Sequence, residues 1–368
     1  MDALAIAKQK AHDGVRLSFE EALLLYENAS LLDLAQWARQ AKERHSKKNV
    51  YYNINRHINL SNTCTANCPL CAFSVEAGDK NGYLMSLDDI ATAVKNAQKN
   101  APGLTEIHIV SSLYPNINFS YYLDVIKLVK NLLPTVHIQA FTPVEIVYFA
   151  QISHKSIKAV LEELKAAGLS SLPGGGAEIL DDKIRKIICP DKASTAEWVE
   201  VVTTAHKLNI PTNASILYGH IETLPQRLRH LFTLRDIQDK TNGFNAFVSF
   251  PFHPLHTQLA AEYIIKPTTA WENLKFIAIA RLVLDNIDHI KAFWIMLSEE
   301  IAQLALAFGA DDLDGTVGKE KIIHAAGADS GSLMSTSRLA KIITQAGYLP
   351  VERNSLYQPL SNKESINE

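Results

Sequence analysis

The chain has 368 residues, 47% of them hydrophobic and 20% charged, with a net charge of −3 and a pI near 6.5. That apolar share suffices for a large core, in one α/β barrel or two ordinary domains. The near-neutral balance gives no electrostatic case for nucleic acid or an anionic membrane surface, and no run reaches the roughly 18 apolar residues that span a bilayer. Met1–Lys10 lacks the apolar core of a secretory signal, and three of the four cysteines are clustered, which points away from a disulfide framework and toward a reducing, cytoplasmic setting.

Residues 1–48 read as a helical segment. Ser18 followed by Glu21 is a capping-box start, and Leu23, Leu24, Tyr26, Leu31, Leu32, Leu34, Ala35 and Trp37 keep a helical stripe. This segment is expected to be a packing layer without chemistry. From residue 49 short apolar runs alternate with amphipathic helices. Asn53–Ser61 is the first predicted strand and leads straight into a cysteine loop, after which Ser86-Leu87-Asp88-Asp89 opens a helix. Glu106–Ser112 and His137–Thr142 are the next strands. Helix Lys155–Ala167 places Ile157, Val160, Leu161 and Leu164 on one face and stops at Gly168. Ser170–Pro173 is a fourth strand ending in Gly174-Gly175-Gly176. Thr212–Tyr218, Phe244–Phe250, Ile290–Met296 and Asp312–Thr316 follow as strands, separated by helices Thr195–Leu208, Pro225–Asp239, Ala270–Leu284 and Glu299–Phe308. This alternation predicts an α/β fold, a TIM-type (β/α)8 barrel over residues 49–318. An open doubly wound sheet is the alternative. Residues 319–368 are expected to pack on the barrel as a C-terminal extension with a helix at Ser335–Ala346, the last residues being loose.

The chemistry concentrates in Cys64, Cys68 and Cys71, spaced C-x3-C-x2-C. A loop of that length can aim three thiolates at one point, where they suit an iron–sulfur cluster, zinc or copper(I). Cys189 lies far from them, after Ile187-Ile188, and reads as a core thiol. Catalytic groups of a barrel lie at the carboxyl ends of its strands. His57 and Asn59 share the polar face of strand one. Glu178 follows the glycine run, placed to accept from a ribose hydroxyl, and Arg185 stands on the next helix start. His220 and Glu222 leave strand five together, and His253 leaves strand six. The plainer readings are a tight turn for the glycines, a solvated face for Arg185 and packing roles for the histidines.

The cysteine spacing resembles that of radical S-adenosylmethionine (SAM) enzymes. The resemblance implies a 4Fe-4S cluster on Cys64, Cys68 and Cys71, with SAM chelated at the iron that lacks a protein ligand and cleaved there to a 5′-deoxyadenosyl radical. Asn55-Arg56-His57-Ile58-Asn59, Cys71-Ala72-Phe73, Leu172-Pro173-Gly174-Gly175-Gly176-Ala177-Glu178, Tyr218-Gly219-His220-Ile221-Glu222-Thr223, Phe250-Pro251-Phe252-His253-Pro254 and Gly309-Ala310-Asp311-Asp312-Leu313-Asp314-Gly315-Thr316-Val317 resemble the aminofutalosine synthases of menaquinone biosynthesis, over residues 50–357. That family's chemistry adds the adenosyl radical to the methylene of 3-[(1-carboxyvinyl)oxy]benzoate, migrates the aryl group and releases the carboxylate as bicarbonate. The resemblance places Leu70, Phe73, Ser111, Ser112, Glu178 and Arg185 around SAM and makes His57, His220, Glu222 and His253 candidate catalytic groups. Arg56 and Arg185, with the histidines, are candidates for the substrate carboxylates, and Phe73 and Phe141 for the rings. Ser111-Ser112 stands where such enzymes often have a Gly-Gly pair. An electron donor such as flavodoxin or ferredoxin is implied. The alternatives are the cyclic dehypoxanthinyl futalosine synthase of the same pathway, which would release free 5′-deoxyadenosine, and a zinc-binding module without catalysis.

Overall fold

The computed structural model describes residues 2–318 and 320–360. It opens with α1 (Ala3–Asp13), α2 (Phe19–Asn28) and α3 (Leu31–Ser46). Ser18 and Glu21 form the capping box that starts α2, and Ser30 caps α3 by accepting from the Asp33 amide. Of the predicted stripe, Tyr26, Leu34 and Trp37 are buried, with Leu25 and Ala38, in one cluster with the helix Ala270–Val283, whereas Leu32 is 77% exposed. The Tyr26 ring stacks on Phe276 with centroids 6.3 Å apart.

Among the described residues nine strands follow: β1 (Asn49–Asn53), β2 (Asn55–Asn59), β3 (Glu106–Val110), β4 (His137–Ala140), β5 (Thr212–Tyr218), β6 (Phe244–Pro251), β7 (His289–Lys291), β8 (Asp312–Gly315) and β9 (Leu349–Glu352). Every paired ladder among them is parallel, as helical crossovers require. They form two sheets, β5-β6-β7-β8-β1-β9 and β2-β3-β4. Each sheet is backed by its own apolar cluster.

The ring of strands is TIM-like without being one closed ladder. The fourth predicted strand supplies only isolated bridges, Gln139 to Ser171 and Leu172 to Thr212, which span the gap between the sheets. It ends there because Pro173 has no N–H to donate. Gly174 then approaches β5 so closely that a Cβ would lie 2.7 Å from the Ala214 backbone. On the far side the sheets meet at Ile54, where the chain passes from β1 to β2. Asn55 closes that seam by accepting from the Val317 amide at 2.7 Å and the Thr316 hydroxyl at 3.0 Å.

Three expectations need correction. The single strand Asn53–Ser61 is two strands, β1 pairing with β8 and β2 with β3. Strand seven stops at Lys291, and Trp294–Leu297 is a buried helical turn, since a short run apolar on all sides carries no period to tell helix from strand. The C-terminal extension contributes β9, paired with β1 at the sheet edge, where Pro350 is tolerated. Arg353 beyond it donates to Asp312 at 2.6 Å, with both groups buried. The predicted helix Ser335–Ala346 appears as Thr336–Gln345. The expected loose end lies outside the described residues.

Candidate active site at the carboxyl ends of the strands

A cavity of about 360 Å³ opens at the carboxyl ends of the strands, and Cys64, Cys68 and Cys71 all line it. Backbone hydrogen bonds pin their loop from several directions. Cys64 N donates to Val75 O at 3.0 Å, Thr65 N to Leu113 O at 2.9 Å and Cys71 N to Cys68 O at 2.9 Å. Asn67 N reaches the Asp191 carboxylate at 3.0 Å, and the Pro69 carbonyl accepts from Leu259 N at 2.8 Å. Cys189 is 1% exposed in the apolar core behind the loop and is not on the cavity wall.

His57, Leu70, Phe73, Ser111, Ser112, Glu178 and His253 also line the cavity. His253 Nε2 is 3.1 Å from the Met296 carbonyl. The Ser111 amide is already committed to the Glu145 carboxylate at 2.7 Å. Glu178 sits at φ 44°, one of several non-glycine residues held in left-handed backbone near the strand ends, with Phe141, Asp314 and Val317 at 63°, 67° and 57°. Its carboxylate meets Lys192 Nζ at 2.7 Å. Burial pushes the Glu178 carboxyl up, and the surrounding cations Lys192 and Arg185 outweigh it and hold it below the ordinary range. The following helix is capped by Asp181, which accepts from the Lys183 and Ile184 amides.

Other expected groups lie off the cavity wall. The Arg185 guanidinium is buried against the backbone, donating to the carbonyls of Gly176, Ala177, Ile179 and Ala193. It braces the glycine turn and leaves no donor for a carboxylate. Glu222 accepts from the Gly219 amide at 2.7 Å and pairs with Arg227, while His220 Nε2 bonds the Leu217 carbonyl at 3.2 Å. That network ties off strand five behind the wall. Arg56 points outward to Thr316 and Asn100, and Phe141 is buried between Tyr122 and Phe149. Lys192, Lys291, Asp314, Glu145 and His108 line the cavity and were not singled out from the sequence. For His108 the signal was present, because it alternates with the buried Ile107 and Ile109 in its strand.

Residues 58–234 match the family model of the radical SAM superfamily and residues 241–366 that of the CofH/MqnC C-terminal region. The chain is 41% identical over 351 residues to the aminodeoxyfutalosine synthase of Thermus thermophilus, covering 95% of this chain and 94% of that one. The chain belongs to the radical SAM enzymes. It is 38% identical to the aminodeoxyfutalosine synthase of Streptomyces coelicolor, over 97% of this chain and 94% of that one. It is also 39% identical to the 5-amino-6-(D-ribitylamino)uracil–L-tyrosine 4-hydroxyphenyl transferase of Methanococcoides burtonii, over 96% and 98% of the two chains. Among solved structures, the FeFe-hydrogenase maturase HydG of Carboxydothermus hydrogenoformans superposes with a TM-score of 0.75 at 16% identity, over 96% of this chain and 80% of that one. Methylornithine synthase (PylB) gives 0.73 at 16%, over 94% and 97%. These likenesses show the shared radical SAM fold.

Radical SAM enzymes bind a 4Fe-4S cluster and SAM, and the residues here fit both. None of the three loop cysteines is in a disulfide. Burial raises the Cys64 thiol and pushes Cys68 up to about 12, so cluster binding there would displace their protons. Among the described residues no three His, Cys, Asp or Glu side chains already stand at ligand distance. The ligand set therefore rests on the cysteine spacing and the common cavity. Beside it the Ser111 hydroxyl is buried without a partner, and Glu178 faces the same space. No helix among the described residues is long and apolar enough to cross a membrane.

Buried neutral histidines make the fold acid-sensitive. His230 accepts from the Leu180 amide at 3.0 Å and donates to the Ser215 carbonyl at 2.9 Å, which fixes one neutral tautomer. Burial drives its pKa down to about 3, and those of His57 and His206 to about 3 and about 4. Unfolded histidine charges near pH 6.5, so this stabilisation is complete above that value and is lost as pH falls toward 3. Each such histidine is expected to cost about 2 kcal/mol of stability by pH 5. Urea midpoints should drop between pH 7 and pH 5, and His230→Gln should shrink the drop. An unchanged pH slope would remove His230 from the account.

Proposed function

We propose that this chain is an aminodeoxyfutalosine synthase acting on 3-[(1-carboxyvinyl)oxy]benzoate. The observation that carries the reading is one cavity that combines the three thiols and Glu178 with an apolar wall of Phe73, Phe250, Phe252 and Phe293 and a buried cation, Lys291. An aryl dicarboxylate needs that pairing of apolar slot and buried charge. When bound, the cluster supplies the electron that cleaves SAM, and SAM supplies the adenosyl group that stays in the product. Glu178 accepts from the ribose hydroxyls and orients the adenosyl carbon. Leu70 and Phe73 cover the nucleoside, and His253 stands at the mouth of strand six beside the substrate. The apolar wall keeps water and stray hydrogen donors from the reacting carbon. The reductant is a small redox protein of the flavodoxin or ferredoxin class, and the setting is cytoplasmic.

A second reading, transfer of a 4-hydroxyphenyl group from tyrosine, draws on the 39% identity to the Methanococcoides burtonii transferase. Anaerobic incubation with SAM and dithionite, followed by mass spectrometry, separates the readings. The enol ether is expected to yield aminodeoxyfutalosine carrying the adenosine carbons. Turnover only with tyrosine and 5-amino-6-(D-ribitylamino)uracil would transfer the assignment to the second reading. Turnover of a nucleoside substrate with release of free 5′-deoxyadenosine from SAM would favour the cyclase.

A further inference from the structure

The floor of the cavity carries a polar group that neither the cluster nor SAM accounts for. The register of β2, β3 and β4 sets His57 opposite His108 and His108 opposite Gln139, one interior layer below Asn59 and Ser61. The two imidazoles meet edge to face with centroids 4.5 Å apart. Nε2 of each is buried and makes no hydrogen bond. Buried polar atoms nearly always have a partner, and these two adjacent orphans, in a cavity that also holds the unpartnered Asn59 Oδ1 and Ser111 Oγ, point to a ligand. Lys291, from β7 in the other sheet, lines the same space, its Nζ 2.7 Å from the Asp314 carboxylate. One proton of that ammonium meets Asp314, and two more remain to donate. The other cavity lysine, Lys192, is held by Glu178 at the thiol end.

We propose that His57, His108 and Lys291 form an aryl-carboxylate site that takes the ring carboxylate of the substrate, with Asp314 positioning Lys291. This rests on the synthase reading above. The methylene that receives the adenosyl group and the carboxylate that is lost share one end of the enol ether. That end must lie beside the SAM-binding loop. The ring carboxylate is the opposite end, and the floor is the part of the cavity set back from that loop. The aromatic ring then lies against Phe250, Phe293 and Met296, between the two polar ends. Each neutral imidazole can place its single N–H on Nε2, so the carboxylate oxygens receive two imidazole donors and one ammonium.

Calorimetric titration of the full chain with two unreactive mimics tests the site. 3-(Carboxymethoxy)benzoate carries the ring carboxylate, and phenoxyacetate lacks it. The wild type is expected to bind the first at least about tenfold more tightly, as charge-assisted hydrogen bonds imply. Lys291→Met with Asp314→Asn removes both charges, so no lone buried ion threatens folding, and it should bind the two mimics equally. His108→Phe should reduce the preference severalfold with SAM binding unchanged. A double variant that keeps the tenfold preference overturns the site. So does a wild type without preference that nonetheless converts the enol ether, in which case the synthase reading stands alone. A wild type that prefers the ring carboxylate, loses that preference in the double variant and fails to convert the enol ether upholds the site and sinks the substrate assignment.

Discussion

Cys64→Ala, Cys68→Ala and Cys71→Ala are each expected to abolish SAM cleavage and to lower the iron bound by the reconstituted protein, while Cys189→Ala does neither. The three residues line one cavity from one pinned loop, and Cys189 is 1% exposed in the apolar core behind it. A cluster held by three thiolates has no spare protein ligand to lose. Removing Cys189 trims a small apolar side chain and costs only a packing term. Iron and sulfide analysis with the absorbance near 400 nm reads the result. Full iron content in any of the three loop variants would overturn the ligand assignment, and a colourless protein loaded with zinc would overturn the cluster itself.

The second large effect is expected at Glu178. Glu178→Gln keeps the size of the side chain and removes the charge proposed to accept from the ribose hydroxyls. Hydrogen bonds to a charged group contribute about 1.5–3 kcal/mol each, so SAM affinity should fall roughly tenfold or more. The cluster should remain intact, because Glu178 is no part of its ligand set. The competing account, in which Glu178 caps the next helix, is already taken by Asp181, whose carboxylate accepts from Lys183 and Ile184. Substitution also leaves the buried Lys192 ammonium without its anion, so Lys192→Met is the matching control. Equilibrium binding of SAM to the reconstituted protein decides the matter. A variant that binds SAM like the wild type, even with a lowered melting temperature, would assign Glu178 to the fold alone.

Local patterns made much of this molecule readable. The cysteine spacing, the capping box at Ser18 and Glu21, and the strand–helix alternation are each set within a few residues of chain, and each appears in the structure. Direction was harder to read. Arg185, His220 and Glu222 stand near the expected strand ends, but their polar atoms are consumed by nearby backbone groups and by Arg227. Sequence distance to a strand end says nothing of which way a side chain turns once the glycine turn and the Gly219 corner need bracing. Lys291 was hidden for another reason. Its strand is only His289–Lys291, too short to show a period, and its partner Asp314 comes from a strand brought alongside only by the fold. β9 escaped notice because an edge strand containing Pro350 looks like loop.

The partners of β1 have a temporal consequence. β2, β3 and β4 pair within residues 55–140, whereas β1 finds its neighbours only at residues 312–315 and 349–352. Contacts between near neighbours in sequence form first, and closures across hundreds of residues come late. On a chain emerging from the ribosome, the three-stranded sheet that carries the cysteine loop has its partners long before Lys291 and Asp314 are made. The thiols thus stand on a half-built wall, open to iron and sulfide, until the last strands arrive and shut the chamber around them.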